Sequence, residues 1–172
     1  EKKLQDIEPW VKGLEEKYPW QKLMLTEYGA DANLDHQTEY LGALHDIHVN
    51  EVFIGGCRGG KLEDLRAAAA ILKGKHIAYR LRLVVTPATS SIYLQALREG
   101  LIDIFLDCGA VVMNQGCSVC WGKAQGILDA GEVLVSTGSY HYPGCCGDTN
   151  ADVYLASPCT AAHCAITGTL SE

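Results

Sequence analysis

The chain has 172 residues, 48% hydrophobic and 20% charged, a globular mixture that excludes disorder and leaves room for one compact domain with an accessory segment. Its formal net charge of −7 disfavours nucleic acid and anionic lipid as partners, because neutralising phosphates takes clustered Lys and Arg. No apolar run approaches the ~18–20 residues of a membrane span, and residues 1–6 lead into an amphipathic pattern rather than a signal-peptide core, so a reducing, cytoplasmic compartment is expected.

In chain order, residues 1–45 stand apart as an extension. An amphipathic helix to about Tyr18 is expected to lead into a strand from Lys22 to Thr26. A further helix is expected over 35–45, with Tyr40, Leu41 and Leu44 on one side. From residue 46 the pattern alternates. Glu51 to Ile54 predicts a buried strand ending at Gly55-Gly56, and Leu62, Leu65, Ala69 and Leu72 fall at helical spacing before Gly74. Leu81 to Val85 predicts a second strand, closed by Pro87, and Thr89-Ser90-Ser91 caps a helix running to Gly100. Gly109 to Met113, Glu132 to Ser136 and Val153 to Leu155 predict three more strands, and Pro158 opens a last helix through Ala161, Ala162 and Ile166. The expected fold is therefore α/β, with a mostly parallel sheet covered by helices and functional loops at the carboxyl ends of its strands.

Eight cysteines are many for a chain in a reducing compartment, where clustered thiols bind metal or do chemistry more often than they form bridges. Three stand out: Cys57 in Gly55-Gly56-Cys57-Arg58-Gly59-Gly60, and the pair in Gly116-Cys117-Ser118-Val119-Cys120. Each group follows a predicted strand, which sets both at one edge of the sheet. Three thiolates suit an iron–sulfur cluster better than a structural zinc ion, which wants a fourth ligand. A cubane held by three cysteines keeps one iron without a protein ligand, free to act as a Lewis acid on a substrate hydroxyl or carboxylate.

The segment from about Leu44 to Glu172 resembles the aconitase superfamily, most closely the carboxyl-terminal domain of the large subunit of 3-isopropylmalate dehydratase and homoaconitase. The matching stretches are Val52-Phe53-Ile54-Gly55, Glu63 to Ala69, Tyr93 to Leu97, Gly100 to Phe105, Cys117 to Cys120 and Ala156-Ser157-Pro158. The long gap from Cys57 to Cys117, followed by a gap of three, is similar to the spacing of that family's cluster ligands. The resemblance implies a three-layer α/β/α domain at 46–172, with a 4Fe–4S cluster on Cys57, Cys117 and Cys120. It also implies a hydro-lyase reaction that moves water across a carbon–carbon bond of a small hydroxy-acid. A small swivel subunit and further large-subunit domains complete the active site in that family, so an isolated chain is expected to turn over little or nothing.

Two departures from the family pattern bear on substrate. The family's Ser-Cys-Thr-Asn around the first ligand is Gly56-Cys57-Arg58-Gly59 here. Its Asn-Arg-Asn-Phe-x-Gly-Arg stretch corresponds to Ser139-Tyr140-His141-Tyr142-Pro143-Gly144-Cys145, so Tyr140 and Cys145 stand where two carboxylate-binding arginines would be. A phenol and a thiol cannot replace a bidentate guanidinium. Either the substrate is less anionic, or the chain is a paralogue that no longer turns over the family's substrates.

Residues 18–42, with Leu25 to Asp31 at their centre, resemble a fragment of family 2 glycoside hydrolases, the β-galactosidases and β-glucuronidases. Glu27 matches the nucleophile of their Thr-Glu-Tyr-Gly motif. A retaining glycosidase needs a second carboxylate ~5 Å away, and nothing upstream of Glu27 supplies one, so this piece reads as a fused fragment without glycosidase activity.

The remaining candidates are weighed against ordinary structural roles. Cys108, Cys159 and Cys164 lie among apolar helix residues and are expected in the core. Cys145 and Cys146 read either as a reactive or metal-binding pair or as loop thiols. His141 and His163 read as surface or hydrogen-bonded residues, and Glu63, Asp64 and Arg66 as a solvated helix face. Gly55 to Lys61 matches the first seven positions of a phosphate-binding loop, but Leu62 follows where a magnesium-binding hydroxyl belongs. Alternatives to the hydro-lyase are thus a non-catalytic iron–sulfur, metal-binding or structural module and a nucleotide-binding domain.

Overall fold

The structure is a computed structural model that describes residues 47–138 and 141–170, together with the backbone of Lys22 and Leu23. The helices expected before residue 46, and Glu27, lie outside the described residues.

Strand β1 (Lys22–Leu23) pairs in parallel with the strand carrying Tyr154 and Leu155, at one edge of the sheet. β2 (Glu51–Gly55) is buried over its whole length, as a central parallel strand must be. The chain then makes one helical turn, α1 (Gly56–Gly59), before α2 (Leu62–Leu72). The Asp64 carboxylate accepts the Lys61 N–H at 3.1 Å and so closes the first turn of α2. β3 (Arg82–Thr86) lies beside β2, and the Thr89 hydroxyl accepts the Ile92 N–H at the start of α3 (Ser90–Arg98). α4 (Leu101–Asp107) and the short β4 (Val111–Val112) follow. A 3-10 turn spans Ser118–Trp121, then come β5 (Val133–Ser136), β6 (Asp152–Leu155) and α5 (Pro158–Thr167). α5 starts as expected at Pro158, with Ser157 as its cap.

Gly100 does more than stop a helix. With φ +72 it turns the chain between α3 and α4, and α4 buries Leu101, Ile102 and Phe105 where no helix was expected. β4 is correspondingly shorter than the Gly109–Met113 run suggests.

The described strands run in the order β1-β6-β5-β2-β3-β4, and every pairing is parallel. Side chains alternate between two cores. Val52, Ile54, Leu83, Val85 and Val135 face α2, α4 and α5, which supply Leu65, Leu72, Phe105, Ala161 and Ala162. Phe53, Val84 and Leu134 face the other way, where the described cover is loop rather than helix: Val119, Leu128, Cys145 and Cys146. Fully burying a side chain such as Phe53 contributes roughly 1.5–3 kcal/mol, enough for packing to hold those loops against the sheet.

Candidate metal centre

The strand order reverses between β2 and β5. From β2 the chain steps outward to β3 and β4, then returns to lay β5 on the other side of β2. In open parallel sheets the crevice beyond the carboxyl ends of two such strands is where ligands bind. Cys57 follows β2 directly, and the segment 141–146 follows β5. Both reach this crevice.

The turn carrying Cys57 is held by Thr137, one residue past β5. The Thr137 hydroxyl accepts the Gly55 N–H at 3.0 Å and donates to the Gly59 carbonyl at 3.2 Å. Gly56 takes φ +76, a conformation open to glycine, and a Cβ at Gly59 would collide with Thr137. Pinned in this way, the turn leaves Cys57 and Arg58 exposed at the rim while Gly56 and Gly59 are buried. A phosphate cradle does not fit here: the Gly55 N–H is committed to Thr137 and the Gly60 N–H to the Gly56 carbonyl, and Leu62 buries itself in the core.

Cys117 is exposed and Cys120 half-buried, on the loop that follows β4. Burial pushes the Cys120 thiol up, and the charges of Cys145, Cys117 and Cys57 push it further, so Cys120 lies within electrostatic reach of each of them. Ser118, between the pair, holds φ +46, unusual for a residue with a side chain, and its buried Oγ has no hydrogen-bond partner. Strained backbone and an orphaned hydroxyl between an exposed and a half-buried thiol suit a loop shaped to receive a group. Thiolates on separate irons of one cluster stand further apart than ligands of a single ion, and the donor set here is all sulfur. The three cysteines fit such a cluster.

A second group of donors lies close by. His141, Cys145 and Cys146 are all buried, and their ligand atoms lie within 4.8 Å of one another. His141 Nδ1 is 3.1 Å from Cys146 Sγ and 3.4 Å from Cys145 Sγ, and the two sulfurs are 3.5 Å apart. Nε2 of the same ring is 2.9 Å from Ser136 Oγ, at the end of β5. The Cys146 S–H bonded to Cys145 pulls the Cys145 thiol well below its usual range, with His141 helping, and pushes Cys146 up. In the sequence, Cys145 and Cys146 read as a reactive or metal-binding pair or as loop thiols, and His141 stands apart from them. The readable signal was a His followed four and five positions later by Cys.

Elsewhere the expectations divide. Cys108 and Cys164 are buried, whereas Cys159 is exposed, because it occupies the first turn of α5 on the side away from the sheet core. His163 is half-buried. Arg66 leaves its own helix neighbours and forms a bidentate pair with Glu99, at 2.8 and 2.7 Å. Tyr140 lies outside the described residues. All eight cysteines are free thiols, and no helix among the described residues is long and apolar enough to cross a membrane.

Comparison with known proteins is consistent with this architecture. A family model described as the aconitase family (aconitate hydratase) matches residues 4–168. The chain is 50% identical over 127 residues to a 3-isopropylmalate dehydratase large subunit of Campylobacter fetus, covering 74% of this chain and 30% of that protein. It is 44% identical over 140 residues to 3-isopropylmalate dehydratase large subunit 2 of Archaeoglobus fulgidus, covering 81% and 33%. A methanogen homoaconitase large subunit of Methanocaldococcus jannaschii is 39% identical over 151 residues, covering 86% and 36%. The chain thus spans about a third of the length of these relatives. The family match runs straight through residues 18–42, and the glycoside hydrolase resemblance of that segment gains no support.

Proposed function

The chain belongs to the aconitase family, and we propose that it is the cluster-bearing part of a hydro-lyase large subunit, with Cys57, Cys117 and Cys120 as the ligands of a 4Fe–4S cluster. What supports this reading is topology: Cys57 sits in the turn just after β2, Cys117 and Cys120 lie on the loop after β4, and Cys120 feels the charge of both other thiols. When bound through three cysteines, such a cluster supplies an iron without a protein ligand, a Lewis acid for a hydroxyl or carboxylate.

The chain's own residues present and surround that group. Thr137 fixes the Cys57 turn to the end of β5, so two neighbouring strands set the position of the first thiolate. Cys117 precedes the 3-10 turn Ser118–Trp121 and Cys120 lies within it, and the turn is anchored by the buried Val119. Arg58 and Lys61 are exposed beside Cys57 and place positive charge where an acidic substrate would approach. A small hydroxy-acid is the substrate class that this arrangement favours. A small subunit, together with the large-subunit portions beyond this chain, would complete the site in a reducing cytoplasmic setting.

Anaerobic reconstitution of the chain with iron and sulfide tests the assignment. Broad visible absorbance that is lost in Cys117→Ser and kept in Cys159→Ser is the expected result. A colourless, equally folded wild-type chain would overturn it. Without its partners the chain is expected not to hydrate isopropylmaleate or cis-aconitate, and robust turnover by the chain alone would overturn the dependence on further subunits.

A further inference from the structure

We propose that His141, Cys145 and Cys146 form a second, mononuclear metal site that takes a single divalent cation of the zinc class.

Geometry is the first support. A tetrahedral ion bound at about 2.3 Å from sulfur and about 2.0 Å from nitrogen requires donor–donor separations of roughly 3.5–3.8 Å. The observed separations of 3.5, 3.4 and 3.1 Å need an expansion of only tenths of an ångström to admit one.

The environment is the second support. The three side chains are 3%, 6% and 2% exposed, so the donors are withdrawn from water yet aimed at one another. An imidazole and two thiols meeting in an apolar pocket, with Phe53, Leu128 and Leu134 around them, satisfy each other poorly. Two weak S–H donors facing an imidazole nitrogen leave soft lone pairs at a common centre, and a cation that prefers N and S donors displaces the two protons and fills it.

The third support is orientation. A metal on Nδ1 requires the ring proton on Nε2, and Ser136 Oγ stands there at 2.9 Å to accept it. That outer partner fixes both tautomer and ring plane. The backbone holds the loop in the same way: the Cys145 N–H donates to the Tyr142 carbonyl at 2.9 Å, and the Leu128 N–H to the Cys146 carbonyl at 3.0 Å. The site is preformed. Among the described residues the ligand group numbers three, so the fourth position of the ion falls to water or an incoming ligand.

This site shares no ligand with the Cys57, Cys117 and Cys120 group, and its test is built to stand or fall separately. The probe is cobalt(II), added under reducing, anaerobic conditions to the full chain carrying Cys57→Ser, Cys117→Ser and Cys120→Ser. One equivalent is expected to bind, with thiolate charge-transfer absorbance and the intense visible bands of four-coordinate cobalt. Adding Cys145→Ser or Cys146→Ser should weaken binding at least tenfold. Ser136→Ala, which leaves every ligand in place, should weaken it about 10–100-fold. X-ray absorption on the zinc-loaded triple variant should require two sulfurs at about 2.3 Å and one nitrogen at about 2.0 Å in its shell. The proposal is overturned if the triple variant takes up no cobalt while folded by circular dichroism. It is equally overturned if affinity is indifferent to Cys145→Ser, or if the zinc shell lacks sulfur.

Discussion

Arg82 Nε lies 2.7 Å from Glu51 Oε2, in an ion pair whose acid is wholly buried and whose base is 43% exposed. Arg82 also holds Glu132 through two bonds of 2.8 Å, so it is shared between a buried and a half-buried carboxylate. Glu51 Oε1 has no partner.

This asymmetry sets a pH dependence. Burial pushes the Glu51 carboxyl up to about 7, against the opposing pull of Arg82 and with added repulsion from Glu132. The folded state therefore holds the proton more tightly than the unfolded chain does. The associated stability is full below the ordinary value of 4.5 and is lost as pH rises to about 7. Across that window the loss amounts to about 3 kcal/mol. Urea unfolding should show the wild type falling relative to Glu51→Gln over this range and running parallel to it above. Parallel curves throughout would show that Glu51 titrates normally.

Thr137 is the brace of the Cys57 turn. Thr137→Val keeps the shape but strips both hydrogen bonds, leaving the buried Gly55 N–H and the Gly59 carbonyl unpaired at about 1–3 kcal/mol each. The variant should unfold at lower denaturant, and Cys57 should react faster with a thiol reagent than in the wild type. Thr137→Ser should restore both measures. Unchanged Cys57 reactivity in Thr137→Val would mean that the turn holds itself.

The Ser157 hydroxyl accepts the Thr160 N–H at 3.2 Å and caps α5. Ser157→Ala is expected to cost about 1 kcal/mol in urea unfolding, and Ser157→Asp to recover most of it. Because α5 packs against β2 and α2 rather than at the metal centre, metal uptake should be unaltered in both variants.

Much of the fold was legible before any coordinates. β2, β3, β5 and β6 announce themselves as short apolar runs, and α2, α3 and α5 by helical spacing, with Thr89 at the start of α3 and Pro158 at the start of α5. α4 escaped because seven residues give too few turns for periodicity and because Gly100 reads as an end when it is also a beginning. At the site, spacing and strand ends single out Cys57, Cys117 and Cys120, and the structure sets the first after β2 and the other two after β4. Of the second group the Cys145–Cys146 pair was legible but its union with His141 was not, since that convergence depends on the turn that returns Cys145 to Tyr142 and on a serine from β5.

Among the described residues the sheet is roofed by helices on one side and by loops on the other, and such a sheet should come apart unevenly. Deuterium uptake ought to begin in the amides of 113–128 and 141–151 and to reach the β2 and α2 amides last. Cys117, Cys120, Cys145 and Cys146 would then reside in the portion of the molecule that breathes first while Cys57 stays on the braced turn after β2, so iron or zinc could enter a finished domain without waiting for it to unfold, and a captured ion would act as a late rivet on a frame already built.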